Sequence, residues 1–128
     1  MSDEQDALAW ARYAEEDFQT AKILLRRKKP MLAGVCFHTQ QSAEKYLKAL
    51  LVAKQKEFPK IHDLDTLNEL CNQAGVFTGF DKDSLDRLTD YTVFTRYPGN
   101  QPILDEAREA LEIAKSIRKF VRGWFGLR

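Results

Sequence analysis

A chain of 128 residues with 44% hydrophobic content is long enough for one compact core without disulfide staples. Its 20 basic and 19 acidic residues leave a formal net charge of +1, which excludes a whole-chain field drawing it to nucleic acid, so any such binding must be local. Cys36 and Cys71 stand in apolar stretches with no CxxC motif, and the acidic start leads into no long apolar run. Together these predict a reducing, cytoplasmic setting and no membrane partner.

Helix A is predicted over about Asp3–Arg27, because Ala7, Ala11, Ala14, Phe18, Ala21 and Leu25 recur in alternating steps of four and three. The run Arg26-Arg27-Lys28-Lys29 ends it, and Pro30 suits the first turn of helix B, where its missing N–H needs no partner. Helix B, about Pro30–Lys54, carries a stripe of Leu32, Cys36, Thr39, Ala43, Tyr46, Leu50 and Ala53, widened by Val35, Leu47 and Leu51. Its start, Met31 to Phe37, is apolar nearly all round and is expected to be the most buried segment, with Gly34 allowing close helix approach.

Helix C, about Asp63–Ala74, has Asp63 as N-cap, Gly75 as C-terminal stop, and Leu64, Leu67, Leu70 and Cys71 as its buried side. Helix D, about Asp81–Thr95, buries Leu85, Leu88, Tyr91 and Phe94 and must end before Pro98, in a turn over Tyr97-Pro98-Gly99-Asn100. Helix E, about Ile103–Trp124, shows strict four-three alternation of Ile103, Ala107, Ala110, Ala114, Ile117, Val121 and Trp124. No segment alternates with period two. The fold class is therefore all-α, an antiparallel bundle of about five helices forming a single domain over 1–128, with Trp10, Phe18, Tyr46 and Trp124 filling the wider gaps.

Standard catalytic signatures are missing. There is no GxxxxGK[ST] or GxGxxG phosphate cradle, and neither His38 nor His62 has the glutamate three positions earlier that a bundle di-iron site needs, so no metal or cofactor is expected. What remains is a polar arc on helix B, where Gln41, Glu44, Lys45 and Lys48 stack with His38 beside Lys45. Such an arc either holds an anion or is a solvated face with Glu44 and Lys48 as an ordinary i, i+4 pair. His62-Asp63 stands at a helix entrance, where backbone N–H groups favour an anion, although Asp63 also serves as a plain cap. Arg96-Tyr97 follows helix D, where a guanidinium beside a ring either binds phosphate and stacks a base or only closes the helix end. Lys115, Arg118, Lys119 and Arg122 share one face of helix E and fit a helix C-terminus as well as a ligand.

The run Phe37-His38-Thr39-Gln40-Gln41-Ser42-Ala43-Glu44-Lys45-Tyr46-Leu47-Lys48-Ala49-Leu50-Leu51, then His62-Asp63-Leu64, then Arg96-Tyr97-Pro98, then an alanine-rich last helix, resembles the HEPN family over essentially the whole chain. The resemblance implies a bundle of about five helices, often dimeric, encoded beside or fused with minimal nucleotidyltransferase domains and handling nucleotides or RNA. It implies metal-independent ribonuclease toxins of toxin–antitoxin pairs among its members, marked by Arg, four to six residues, then His. This sequence lacks that motif: Met31, Leu32 and Ala33 stand before His38, and Gln55, Lys56 and Glu57 before His62. The expectation is thus a module without its own catalysis, a homodimer binding ATP or GTP or a nucleotidyltransferase protein through Lys45, Lys48, His62, Asp63, Arg96 and Tyr97. The alternatives are a ribonuclease using His62 and Arg96, which would take RNA as substrate, and a plain helical dimerisation scaffold.

Overall fold

The computed structural model describes residues 5–94 and 97–128. Five helices follow in order: α1 (Ala7–Arg26), α2 (Leu32–Ala53), α3 (Leu64–Gln73), α4 (Lys82–Phe94) and α5 (Leu104–Trp124). Among the described residues there is no strand, and no helix is long and apolar enough to cross a membrane. α2 is the axial element and packs against all four others. Glu15 meets Tyr46 and Arg118, while Trp10 lies near Phe58, so α1 runs antiparallel to both α2 and α5.

The helix signals act much as their chemistry dictates, with shifts at the ends. α1 starts at Ala7 rather than near Asp3, because the Asp6 carboxylate accepts the Leu8 N–H at 3.0 Å and caps it there; residues 1–4 lie outside the described ones. Pro30 falls before α2, not in its first turn. The Met31 N–H still donates back to the Leu24 carbonyl at 3.2 Å, so the chain is completing its reversal when proline passes. Asp63 caps α3 and Gly75 takes φ 89° just beyond it. α5 has half of a capping box: Glu106 accepts from the Ile103 N–H at 2.9 Å, but isoleucine has no acceptor with which to answer.

The core joins Ala11, Ala14 and Ala21 of α1 to Ala107, Ala110, Ile117 and Val121 of α5 around α2. The buried stretch of α2 lies later than expected. Within residues 31–37, Val35 and Cys36 are fully buried but Met31 and Phe37 are half exposed, whereas Thr39, Gln40, Ser42, Ala43, Glu44 and Tyr46–Leu51 are buried, because it is the middle of α2 that its neighbours enclose. Gly34 does serve close approach: a Cβ there would stand 2.7 Å from Leu24 Cδ1. Ile103 and Trp124 drop off the α5 seam into solvent, so Trp124 fills no gap in the core and instead meets Phe125 edge-on. Tyr97 to Asn100 form the expected turn, with Asn100 N–H donating to the Tyr97 carbonyl at 3.2 Å and Gly99 at φ 91°.

Candidate functional site

The polar arc of α2 becomes two carboxylate-centred clusters. Its residues face the groove between α1 and the loop leading to α3, so each cluster recruits a group from another element. In the first, Asp17 of α1 accepts from His38 Nδ1 at 2.8 Å with one oxygen and from Lys45 Nζ at 2.6 Å with the other. In the second, Glu44 accepts from Lys48 Nζ at 2.9 Å with Oε2, and from His62 Nδ1 at 2.8 Å and Gln40 Nε2 at 3.2 Å with Oε1. Gln40 Nε2 also donates to the His62 carbonyl at 2.9 Å, and Gln41 donates to Gln40 Oε1 at 2.9 Å, so Gln40 is held from both sides.

Glu44 and Lys48 are therefore not a solvated surface pair. Their side chains are 5% and 9% exposed, and the Lys48 ammonium lies over the Trp10 ring at 5.7 Å and the Phe58 ring at 5.5 Å. Ammonium, carboxylate and two ring faces satisfy one another there, which makes burial of the charge tolerable. Trp10 and Phe58 pack edge-to-face with centroids 6.1 Å apart. Together with Val52 they wall an open cleft of about 960 Å³, rimmed by Lys56, Lys60, His62 and the amides of Gln5 and Gln55, with one acid, Glu57.

Each histidine, held through Nδ1, is fixed in the tautomer that leaves Nε2 with the lone pair in the neutral ring. Among the described residues no hydrogen bond engages either Nε2. The thiols offer no comparable chemistry: burial pushes Cys36 up to about 11 and Cys71 up to about 12. No cluster of His, Cys, Asp or Glu fit to hold a metal occurs among the described residues.

Of the residues singled out from the sequence, Lys48 and His62 come together on Glu44 and line the cleft. Lys45 is held by Asp17 instead and does not line it. Asp63 accepts from the Thr66 N–H at 3.3 Å and serves as a cap. Tyr97 is exposed and away from the cleft lining, and Arg96 lies outside the described residues, as does the Phe94 side chain. Tyr91, expected to be buried on helix D, is only partly buried: its hydroxyl donates to Glu109 at 2.7 Å and it borders a separate hollow beside Pro102. Of the basic face of α5, Arg118 is bound to Glu15 across the bundle. Sequence reasoning missed Trp10, Phe58, Lys60 and Asp17. A visible signal for Phe58 was a lone ring in the polar loop between α2 and α3.

The chain is thus an all-helical bundle with a cation-rimmed, aromatic-walled cleft at one end and no glycine cradle. The HEPN domain family model matches residues 7–124, from the first residue of α1 to the last of α5, and the chain belongs to that family. Membership ties it to nucleotide-binding or ribonuclease-type modules. No curated protein and no solved structure matches the chain.

Proposed function

We propose that this HEPN domain is a partner module without catalysis of its own that binds a purine nucleotide, ATP or GTP, in the Trp10–Phe58 cleft. One observation carries the reading: the Glu44–Lys48–His62 cluster stands at the mouth of a cleft walled by the Trp10 and Phe58 rings, against which a base can pack, and rimmed by Lys56 and Lys60 for phosphates. Lys48, already paired, fixes the walls, while the exposed Lys56 and Lys60 on the rim are free to meet the ligand. Asp17 of α1 and Lys45 of α2 extend the polar surface, and Arg96 and Tyr97 stay candidate contacts for a longer ligand or a nucleotidyltransferase protein. A homodimer in the cytoplasm is the expected assembly.

The test is thermal. A ligand bound only by the native state stabilises it by RT ln(1 + [L]/Kd). ATP or GTP should raise the melting temperature and the uncharged nucleoside should not. Lys60→Ala and His62→Ala should each remove much of the shift, and Lys115→Ala, on exposed α5 surface, should leave it intact. No shift at millimolar nucleotide, or equal shifts in all variants, would move the reading to a helical dimerisation scaffold.

A second reading, a metal-independent ribonuclease toxin, is favoured by the two imidazoles that keep Nε2 accessible beside lysines, an arrangement suited to paired acid and base transfer on a phosphodiester. RNA cleavage by the purified chain that falls in both His38→Ala and His62→Ala would select it.

A further inference from the structure

The opposite end of the bundle carries a feature that the cleft does not use. Residues 18–43 contain five cations, Lys22, Arg26, Arg27, Lys28 and Lys29, and no acidic residue. The four from Arg26 to Lys29 form the turn from α1 to α2 and are all exposed. No ion pair of the described residues involves any of them, in contrast to Arg118 or Lys82, which find carboxylates. Two aliphatic side chains flank the turn: Ile23, 62% exposed, and Met31, 51% exposed. Ile23 lies on the same face of α1 as Arg26, three residues on, with Arg27 following as the C-cap, and the Met31 N–H closes the turn by donating to the Leu24 carbonyl, which brings Met31 back to the last turn of α1.

We propose that this α1–α2 turn is a docking surface for an anionic lipid membrane. A cluster of four or more cations gains from the negative surface potential of a cytoplasmic leaflet. Ile23 and Met31 decide between polyanions. RNA offers them only sugar edges and stacked bases, and the turn supplies no ring for those bases, whereas a bilayer interface accepts protruding aliphatic groups among its acyl chains. The expectation of no membrane partner rested on the acidic start and the lack of a long apolar run. Peripheral contact by one end of a bundle needs no spanning segment. The site is independent of the nucleotide reading, because the turn lies at the far end of α1 from Trp10.

The experiment is co-sedimentation of the full chain with phosphatidylcholine vesicles containing about 30% phosphatidylserine, with pure phosphatidylcholine vesicles alongside. Binding is expected on the anionic vesicles only, falling several-fold when salt is raised from about 0.1 M to 0.5 M. The double variant Arg26→Glu/Arg27→Glu should abolish it. Ile23→Ser and Met31→Ser should each weaken it several-fold, with an unchanged circular dichroism spectrum and melting temperature because both side chains are exposed. Lys115→Glu/Lys119→Glu, the same charge change elsewhere, should weaken it much less. Absence of vesicle binding would overturn the proposal. So would equal loss in the two charge-reversal variants, tighter binding of a single-stranded RNA that Ile23→Ser leaves unchanged, or a dimer mass by light scattering that falls to the monomer's in Ile23→Ser and Met31→Ser, which would place a second copy on these side chains.

Discussion

Glu15 shows how a single side chain on the α1 surface is bound into the bundle. The Arg118 fork donates to its two oxygens at 2.6 Å each, and the Tyr46 hydroxyl donates at 2.9 Å. Burial alone would raise the carboxyl, but the Arg118, Tyr46 and Gln19 donors more than offset it and draw Glu15 down to about 2. A folded value below the unfolded one means stability that is fully present above about pH 4.5 and is lost as pH falls through that window toward 2. Melting temperature should decline over that range in the wild type and decline less in Arg118→Ala. The same variant should cost about 2 kcal/mol near neutrality, between a surface pair and a buried one, since both partners are about a quarter exposed. Urea unfolding would read it, and an unchanged midpoint would show the fork to be ornamental. None of this was legible in the sequence, where Arg118 reads as one cation on a basic face. The partner lies 103 residues away.

At the scale of elements, the alanine seams were readable and the ends of the helices were not. Periodicity at Ala7, Ala11, Ala14 and at Ala107, Ala110, Ala114 reports a face that must be small and apolar wherever it packs, so it survives any detail of topology. Ala14 and Ala114 are fully buried. Ala14→Leu or Ala114→Leu should therefore overpack the core at a cost of roughly 1–3 kcal/mol, checked by denaturant midpoint; wild-type stability in either would mean the face can open. The start of α2 misled because an all-round apolar run signals burial only if neighbours surround it. The same limit governs the candidate site. Lys48, His62 and the arc around Glu44 stand out by spacing, but the burial of Lys48 comes from Trp10 and Phe58, which arrive from α1 and a loop. Whether Lys45 would join His62 depended on Asp17, and the sequence alone offers no way to see that Asp17 claims it.

Taken whole, the molecule distributes its charge unevenly despite a net of +1. Residues 63–90, spanning α3 and most of α4, hold seven acidic side chains and two basic ones, whereas the α1–α2 turn and the cleft rim are basic. Such separation favours assemblies in which unlike faces meet, consistent with the homodimer proposed. Light scattering at micromolar concentration should give twice 14.8 kDa, weakening with salt if the contact is electrostatic. A 14.8 kDa species throughout that range would rule the dimer out.

The chain has two tryptophans, and they occupy contrasting surroundings. Trp10 is part-buried, with an ammonium on its face and Phe58 at its edge, while Trp124 is 43% exposed at the end of α5. The protein thus carries an optical probe inside its own cleft. In Trp124→Phe, the remaining emission should lie to the blue of that in Trp10→Phe and resist acrylamide. Nucleotide should quench it in the first variant and leave the second unchanged, so occupancy can be followed without a label. Equal quenching of both rings would place the ligand elsewhere.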